Sequence, residues 1–249
     1  MVRDVDGRSR LRDSLTRKVM SNPKRAMKSL LGRDFFLRID TTFDHVRFGS
    51  EYGGWNVVVS ELSPRSVVYS FGVGLDISFD LALIDRYGLT VHAFDPTPKS
   101  VDWIRQQKLP PEFLMYPCAL ASSDGSLTLY PPENPDHVSH SVVPRGSSSN
   151  NGLTVPAKRL STIMRELGHD TIDVLKMDIE GSEYDVIRDF LSAKIYPRQI
   201  LVEFHHRFTG FGVAATQEAV AALEKNGYRL FWVAASVEEF CFIRQVGGI

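Results

Sequence analysis

From Arg65 onward, the sequence alternates between short apolar runs and longer stretches that carry apolar residues at helical spacing. The short runs are rich in β-branched and aromatic residues, which favour strands. This alternation predicts an α/β fold of three layers with a mainly parallel sheet, because parallel strands need crossover helices to connect them. The carboxyl ends of such strands meet at one edge of the sheet, where ligands bind.

The predicted elements follow from these patterns and from the turn residues between them. Strands are predicted at Val67–Ser70, Thr90–Phe94, Phe113–Leu120, Ser126–Tyr130, Ile172–Met177, Gln199–Phe204, Tyr228–Val233 and Glu239–Arg244. Helices are predicted at Asp76–Tyr87, Ser100–Gln107, Ser161–Leu167, Ser182–Leu191 and Thr216–Lys225. The last two strands predict a closing antiparallel hairpin.

The first 48 residues differ in charge from the rest of the chain. They hold 12 Lys/Arg and 6 Asp/Glu, whereas the complete chain has a net charge of −1. Apolar residues at near-helical spacing between Leu11 and Leu31, interrupted by Pro23, predict a basic amphipathic helix. Such a helix either stays solvated or touches an anionic membrane surface. We therefore predict a basic helical extension or lid at residues 1–60 and an α/β domain at residues 61–249.

The isoelectric point, the cysteine count and the lengths of the apolar runs exclude several classes of protein. A pI of about 6.7 disfavours a nucleic-acid-binding role, because phosphate binding needs a basic surface. Cys118 and Cys241 are too few for a disulfide framework or a thiolate zinc site, and reduced thiols are typical of the cytoplasm. No apolar run reaches the roughly 18–20 residues of a membrane span, and the N-terminus lacks the apolar core of a secretory signal. A cytoplasmic protein is predicted, with its oligomeric state open.

A glycine turn follows the first predicted strand directly. Gly72 and Gly74 precede a helix, and glycine permits both a tight turn and the close approach of a ligand. Asp95 ends the next strand, where a carboxylate can accept hydrogen bonds from ribose hydroxyls. A dinucleotide fingerprint would have a third glycine where Ile77 stands. Together with the closing hairpin, this favours S-adenosylmethionine over a nicotinamide coenzyme.

Two acidic motifs are predicted to reach the same edge of the sheet. Asp178 and Glu180 follow one strand and share a face if extended, as do Glu203 and His205 after the next. Carboxylates there can take a proton from a substrate hydroxyl, hold a divalent cation or cap the following helix. His205 suits a general base or a structural hydrogen bond. Asp178, Glu203 and His205 can also form a metal site, so metal dependence stays open.

Four segments resemble the FkbM-type family of S-adenosylmethionine-dependent methyltransferases. They are Tyr69–Asp76, His92–Ser100, Leu175–Glu183 and Leu201–His206. The D-x-E-G-x-E pattern that begins at Asp178 is the most specific of these, and the resemblance covers roughly Arg47 to Arg244. It implies the class I methyltransferase fold, a seven-stranded sheet with one antiparallel strand. It also implies an S-adenosylmethionine-binding domain at residues 61–249 and O-methylation of a hydroxyl on a small molecule or sugar.

The same resemblance assigns parts of the cofactor site. Gly72 and Gly74 would flank the methionine part, Asp95 would bind the ribose, and Ala119–Leu120 would approach the adenine. Asp178 would lie near the sulfonium. The complete predicted cofactor site consists of Phe71, Gly72, Val73, Gly74, Asp76, Asp95, Pro96, Thr97, Ala119, Leu120 and Asp178.

The sequence departs from the family pattern at two positions. Ser70 replaces an acid, and Asp76 replaces a glycine or small residue, so Asp76 itself is a candidate for contact with the ammonium group. The predicted base or base-positioning residues are Asp178 and His205, with Glu203 and Glu180 in support.

Three other functions stay open at this point. They are a non-catalytic cofactor-binding module, a nicotinamide-dependent oxidoreductase, and a methyltransferase directed at nitrogen or carboxyl groups. The acceptor is expected to be selected by residues 1–55 and by the long loop Pro131–Gly152. Candidate selecting residues in that loop are His137, Ser139, His140 and Arg145.

Overall fold

The computed structural model describes residues 39, 43–132, 140–144, 152–208 and 210–245. Its strands are β1 His45–Phe48, β2 Trp55–Val58, β3 Val67–Phe71, β4 Thr90–Phe94, β5 Phe113–Tyr116, β6 Ala119–Leu120, β7 Gly125–Leu129, β8 Leu153–Lys158, β9 Val174–Met177, β10 Gln199–Glu203, β11 Tyr228–Val233 and β12 Glu239–Arg244. Its helices are α1 Ser78–Tyr87, α2 Pro98–Arg105, α3 Leu160–Leu167, α4 Glu183–Ser192 and α5 Gly212–Lys225, and a 3-10 turn spans Val59–Glu61.

Seven strands form the central sheet in the order β11-β12-β10-β9-β3-β4-β5. Strands β10, β9, β3, β4 and β5 run parallel to their neighbours, whereas β12 runs antiparallel to both β10 and β11. The arrangement confirms the predicted α/β fold with a mostly parallel seven-stranded sheet and a C-terminal antiparallel hairpin. This is the class I methyltransferase architecture.

The central strands are buried because helices cover the parallel sheet. Strand β9 is buried along its whole length, and β10 is buried up to Glu203. Helix α1 packs against β4 and β5, while α3, α4 and α5 pack side by side. One apolar cluster joins the layers, with Val68, Leu83, Val174 and Leu201 among its members.

Residues 43–58 form a hairpin, which differs from the helical extension predicted for this part of the chain. Strands β1 and β2 pair antiparallel, and Phe48 lies opposite Trp55. Strand β2 is completely buried, since Trp55, Val57 and Val58 join the main apolar cluster. The domain boundary near residue 60 stays a prediction. The predicted basic helix between Leu11 and Leu31 lies outside the described residues.

A second sheet of three strands, in the order β6-β8-β7, flanks the central one. The predicted strand Phe113–Leu120 divides into β5 and β6 around Pro117, which has no N–H for a sheet ladder. Strand β8 was not predicted. Pro156 lies within it, and proline normally argues against a paired strand. Here Pro156 is exposed, while its neighbours Val155 and Ala157 are buried.

No helix in the described part of the chain is both long and apolar enough to cross a membrane.

Candidate functional site

A cavity of about 400 Å³ opens at the carboxyl-terminal edge of β3, β4, β9 and β10. Cavities of about 300–1,000 Å³ are typical of small-molecule sites. Every residue predicted to bind the cofactor lines it, and so do three of the predicted catalytic residues. These lining residues are Phe71, Gly72, Val73, Gly74, Asp76, Asp95, Pro96, Thr97, Ala119, Leu120, Asp178, Glu180 and Glu203. His205 lies buried beside Asp178 and Glu180.

The cavity has two ends with different chemistry. We call the region of the glycine turn, Gly72–Asp76, and Asp95 the cofactor end. The acidic end consists of Asp178, Glu180, Glu203 and His205.

The two ends meet at Gly72, where two strand ends touch through their backbones. Gly72 has a φ of +74°, a conformation that residues with a Cβ rarely adopt. A Cβ at this position would lie 1.7 Å from the carbonyl oxygen of Asp178. The Asp178 N–H in turn donates to the carbonyl of Phe71 over 3.2 Å. Glycine is therefore required at position 72 by the close approach of the Asp178 backbone.

Asp95 is held in the cofactor end by three donors. Its Oδ2 accepts from the Gly74 N–H at 2.9 Å, and its Oδ1 accepts from the Thr97 N–H at 2.9 Å and the Thr97 hydroxyl at 2.6 Å. Only 5% of Asp95 is exposed. A carboxylate can accept about four hydrogen bonds, so capacity for a ligand hydroxyl remains on the side facing the cavity.

Asp76 anchors the loop between β1 and β2 to the start of helix α1. Its Oδ2 accepts from the Ser50 hydroxyl at 2.6 Å, and its Oδ1 accepts from the Ser78 N–H at 2.9 Å. Burial alone would raise the pKa of Asp76, but these hydrogen bonds hold it below its ordinary value. Ser50 also accepts from the N–H groups of Tyr52 and Gly53. The loop thus carries Tyr52, which lines the cavity and is 88% exposed.

Strands β9 and β10 bring the acidic end together. His205 Nε2 lies 3.8 Å from Asp178 Oδ1 and 3.6 Å from Glu180 Oε2. Asp178, Glu203 and His205 each offer a ligand atom, and these three atoms lie within 4.8 Å of one another. The convergence predicted from the parallel sheet therefore occurs, and the group has the composition of a possible metal site.

The imidazole of His205 is fixed by a fully buried acid, Glu183. His205 Nδ1 lies 2.9 Å from Glu183 Oε1, and Glu183 accepts further hydrogen bonds from the N–H groups of Ile179 and Gly181. Burial would lower the pKa of His205, but Glu183 and its neighbours Asp178 and Glu180 raise it to about 10. The surrounding carboxylates therefore favour the protonated form of His205.

The carboxyls of Asp178 and Glu203 have pKa values above their ordinary range. Desolvation is the main cause for both, and repulsion between neighbouring carboxylates adds to it. Lys176 and then His205 oppose the shift at Asp178, and His205 opposes it at Glu203. About 31% of the Asp178 side chain remains open to the cavity. Its Oδ1 is nevertheless buried, and the described residues place no donor within hydrogen-bond distance of it. This oxygen of Asp178 is thus short of hydrogen-bond donors.

Lys176 and Glu183 belong to this site although sequence reasoning did not single them out as functional. Lys176 is 6% exposed within β9 and lines the cavity. Its Nζ donates to the carbonyl of Gly72 at 3.0 Å, so the side chain stabilises the glycine turn. A lysine inside an apolar strand was the available signal, because buried lysine is rare unless it is paired.

The turn after β9 connects the acidic end to the long loop. Glu180 has a φ of +52°, an uncommon conformation that occurs mostly where neighbouring structure enforces it. Its carbonyl accepts from the Val142 N–H at 3.2 Å, and Tyr130 and Ser141 exchange two backbone hydrogen bonds nearby. His140 lines the cavity. The other predicted loop residues lie outside the described residues, namely His137, Ser139 and Arg145.

Comparison with known proteins identifies a family. The family model of the methyltransferase FkbM domain matches residues 67–230. The 31-O-demethyl-FK506 methyltransferase FkbM of Streptomyces tacrolimicus is 27% identical over 199 residues, which cover 68% of this chain and 74% of that protein. The "Probable methyltransferase-like protein 24" of Rattus norvegicus is 26% identical over 174 residues, 66% of this chain. Its human counterpart is 27% identical over 175 residues. The chain spans about two fifths of the length of these last two relatives.

Two solved structures align with this chain at low identity. Methyltransferase FkbM from Methylobacillus flagellatus aligns with 73% of this chain and 44% of its own, at 13% identity and a TM-score of 0.46. Fibrillarin from Aeropyrum pernix, solved with natively bound S-adenosyl-L-methionine, aligns over 83% of both chains at 9% identity and a TM-score of 0.38.

Proposed function

Because the chain belongs to the FkbM methyltransferase family, we propose that it transfers a methyl group from S-adenosylmethionine to a hydroxyl of a small molecule or sugar. The observation that supports this proposal is that the cofactor end and the acidic end, which differ in chemistry, lie in one cavity. The cofactor end offers the Asp95 carboxylate with room for a hydroxyl, and the acidic end offers Asp178, whose buried Oδ1 has no donor among the described residues. The O-directed part draws support from the Streptomyces relative, whose name describes methylation of an oxygen.

At the cofactor end, Asp95 would accept hydrogen bonds from the ribose hydroxyls. Its donors Gly74 and Thr97 fix both carboxylate oxygens before any ligand arrives, so binding requires little reorganisation. The turn at Gly72 lets the ligand's amino-acid part approach the backbone. Asp76, already bonded to Ser50 and Ser78, lines the same region and offers negative charge to an ammonium group.

At the acidic end, Asp178 would accept the proton of the acceptor hydroxyl. When bound, S-adenosylmethionine supplies a methyl group on positively charged sulfur; the acceptor oxygen forms the new C–O bond while the S–C bond breaks and its electron pair returns to sulfur. Asp178 suits the proton-accepting role by position, since it touches Gly72 and also faces the open cavity. His205 and Glu183 act as positioning residues that hold the Asp178 and Glu180 carboxylates in place.

The proposal is tested by calorimetric titration of the full chain with S-adenosylmethionine and S-adenosylhomocysteine. We expect both to bind, and we expect Asp95→Asn to weaken binding about 10- to 100-fold, the range for hydrogen bonds to a charged group. Asp102→Asn is the matched control, because Asp102 is exposed on helix α2 and pairs with Arg105 at the surface. Wild-type protein that is folded and binds neither ligand contradicts the proposal.

The chemical step is tested with Asp178→Asn. This variant should keep its affinity for the cofactor and lose about 10²- to 10⁴-fold in the rate of S-adenosylhomocysteine release with hydroxylated acceptors, the range for loss of a general base. Normal turnover of Asp178→Asn would remove Asp178 from the proton-transfer step.

A further inference from the structure

We propose that Asp178, Glu203 and His205 bind a divalent metal cation at the acidic end of the cavity, where the ion also takes an oxygen of the acceptor as a ligand. The metal site stands on the geometry of these residues. The role given to the ion rests on the proposed methyl transfer to a hydroxyl.

The ligand atoms come from two adjacent strand ends. Asp178 follows β9, and Glu203 and His205 lie at the end of β10, so the parallel sheet fixes their separation. One atom from each lies within 4.8 Å of the others. Two of these residues are carboxylates that line the open cavity, so the remaining coordination positions would face the space available to an acceptor.

The orientation of His205 is that of a metal ligand. Its Nδ1 pairs with Glu183 at 2.9 Å, and Glu183 is itself fully buried and held by backbone N–H groups. Histidines that bind metals commonly donate their second ring nitrogen to a carboxylate in this way, which fixes the tautomer and the ring direction. His205 Nε2 therefore points at Asp178 and Glu180, over distances of 3.8 and 3.6 Å that are too long for hydrogen bonds. With 8% of its side chain exposed, His205 has little alternative contact with water.

The balance of charge also favours a cation. Asp178, Glu180, Glu183 and Glu203 are gathered around a single imidazole, and Lys176 directs its ammonium group to the carbonyls of Phe71 and Gly72. The buried Oδ1 of Asp178 has no donor among the described residues. A divalent ion would supply both the charge and the missing partner for this oxygen.

The mixture of ligands indicates which ions fit. Mg²⁺ and Ca²⁺ take oxygen ligands, whereas an imidazole with two carboxylates suits Mn²⁺, Fe²⁺ or Zn²⁺. An acceptor hydroxyl bound to such an ion would lose its proton more easily, because a metal ion lowers the pKa of oxygen ligands. The proton would pass to the carboxylate oxygen of Asp178 that does not hold the ion, since each residue of the group offers the ion one atom. The ion would thus hold the acceptor and prepare it for attack on the methyl group.

The test is a titration of the full chain with Mn²⁺, followed by the EPR signal of the free ion, in the absence of S-adenosylmethionine. We expect saturable binding that Asp178→Asn and Glu203→Gln each weaken at least about 10-fold, as loss of a ligand does. Glu239→Gln is the matched control. Glu239 lies opposite Glu203 in the sheet and lines the same cavity, but it is outside the three-residue group. It should weaken binding less than about fivefold, the effect of one nearby charge.

Three outcomes overturn the inference. The first is wild-type protein that binds S-adenosylmethionine but no Mn²⁺. This result would mean that the carboxylates interact with the positive charge of the sulfonium and not with a metal ion. The second is equal weakening by Glu203→Gln and Glu239→Gln, which would indicate a general negative field. The third is normal Mn²⁺ binding by Asp178→Asn and Glu203→Gln together. Binding of Mn²⁺ without any binding of S-adenosylmethionine would support the metal site and contradict the proposed function, so the two can fail separately.

Discussion

The carboxylates at the two ends of the cavity differ in their hydrogen-bond donors and in the direction of their pKa shifts. At the cofactor end, Asp95 accepts three hydrogen bonds, and the pKa of Asp76 lies below its ordinary value because Ser50 and Ser78 donate to it. At the acidic end, Asp178 and Glu203 have raised pKa values because burial and mutual repulsion outweigh the nearby positive charge. The Asp95 carboxylate, whose donors fix both oxygens, is oriented for a neutral hydroxyl. The Asp178 carboxylate, whose Oδ1 has no donor among the described residues, favours a cation.

Gly72 joins the two ends, so a substitution there should have the largest effect. In Gly72→Ala, the new Cβ would collide with the Asp178 carbonyl and also take up an unfavourable φ. Overpacking and backbone strain together should cost about 3 kcal/mol or more of unfolding free energy, measured by urea denaturation. Gly88→Ala is the control, with a φ of +62° and no atom within 4 Å of the added Cβ. It should lose about 1 kcal/mol. Equal losses of unfolding free energy in the two variants would mean that the ends of β3 and β9 can move apart at little cost.

Removal of one acid from each end should change stability in opposite directions. Asp76→Asn loses charge-assisted hydrogen bonds from Ser50 and Ser78, so we expect it to lower the unfolding free energy by about 1–2 kcal/mol. Glu203→Gln removes a repelling charge and should raise it by on the order of 1 kcal/mol at pH 8 in EDTA. Thermal unfolding of both variants measures the difference. If both variants are destabilised, Glu203 has a structural partner that outweighs the repulsion.

The smallest effect is expected at Tyr52, which lies on the loop held by Asp76 but senses the acidic end. Partial desolvation and the negative charges of Asp178 and Glu203 raise the pKa of its hydroxyl. Tyr52→Ala should raise the KM for the acceptor by roughly 2- to 5-fold, as loss of one exposed aromatic contact does, and leave cofactor affinity unchanged. Tyr52→Phe should behave like wild type. A change in cofactor affinity would instead assign Tyr52 to the cofactor end.

The sequence predicts the regular part of the fold well because local patterns and tertiary burial agree there. Strands β3, β4, β11 and β12 lie almost where apolar runs and turn residues place them, and β12 is the predicted antiparallel strand. The hairpin β1–β2 and strand β8 were not predicted. Strands β1 and β2 have four residues each, and β8 contains Pro156, so their pairing depends on partners that a local pattern does not reveal.

For the site, topology predicts proximity but not orientation. Because parallel strands end at one edge, Asp95, Asp178 and Glu203 could be placed at that edge from their positions at the ends of predicted strands. The direction of the His205 ring depends on Glu183, which lies 22 residues earlier and is itself held by the turn after β9. The place of Lys176 under the glycine turn likewise depends on contacts between distant segments. Such contacts leave no periodic signal in the sequence.

The β-bridge between Tyr130 and Ser141 allows the loop between these two residues to vary in length. Tyr130 and Ser141 exchange two backbone hydrogen bonds, and the Val142 N–H donates to the carbonyl of Glu180 in the turn after β9. Residues inserted between the two bridge positions would precede His140, which lines the cavity, and would leave both anchors in place. Each doubling of loop length costs only about 0.6 kcal/mol in closure entropy. On the proposed function, related chains can therefore acquire new acceptors through loop insertions while the positions of Asp178 and Glu180 stay unchanged.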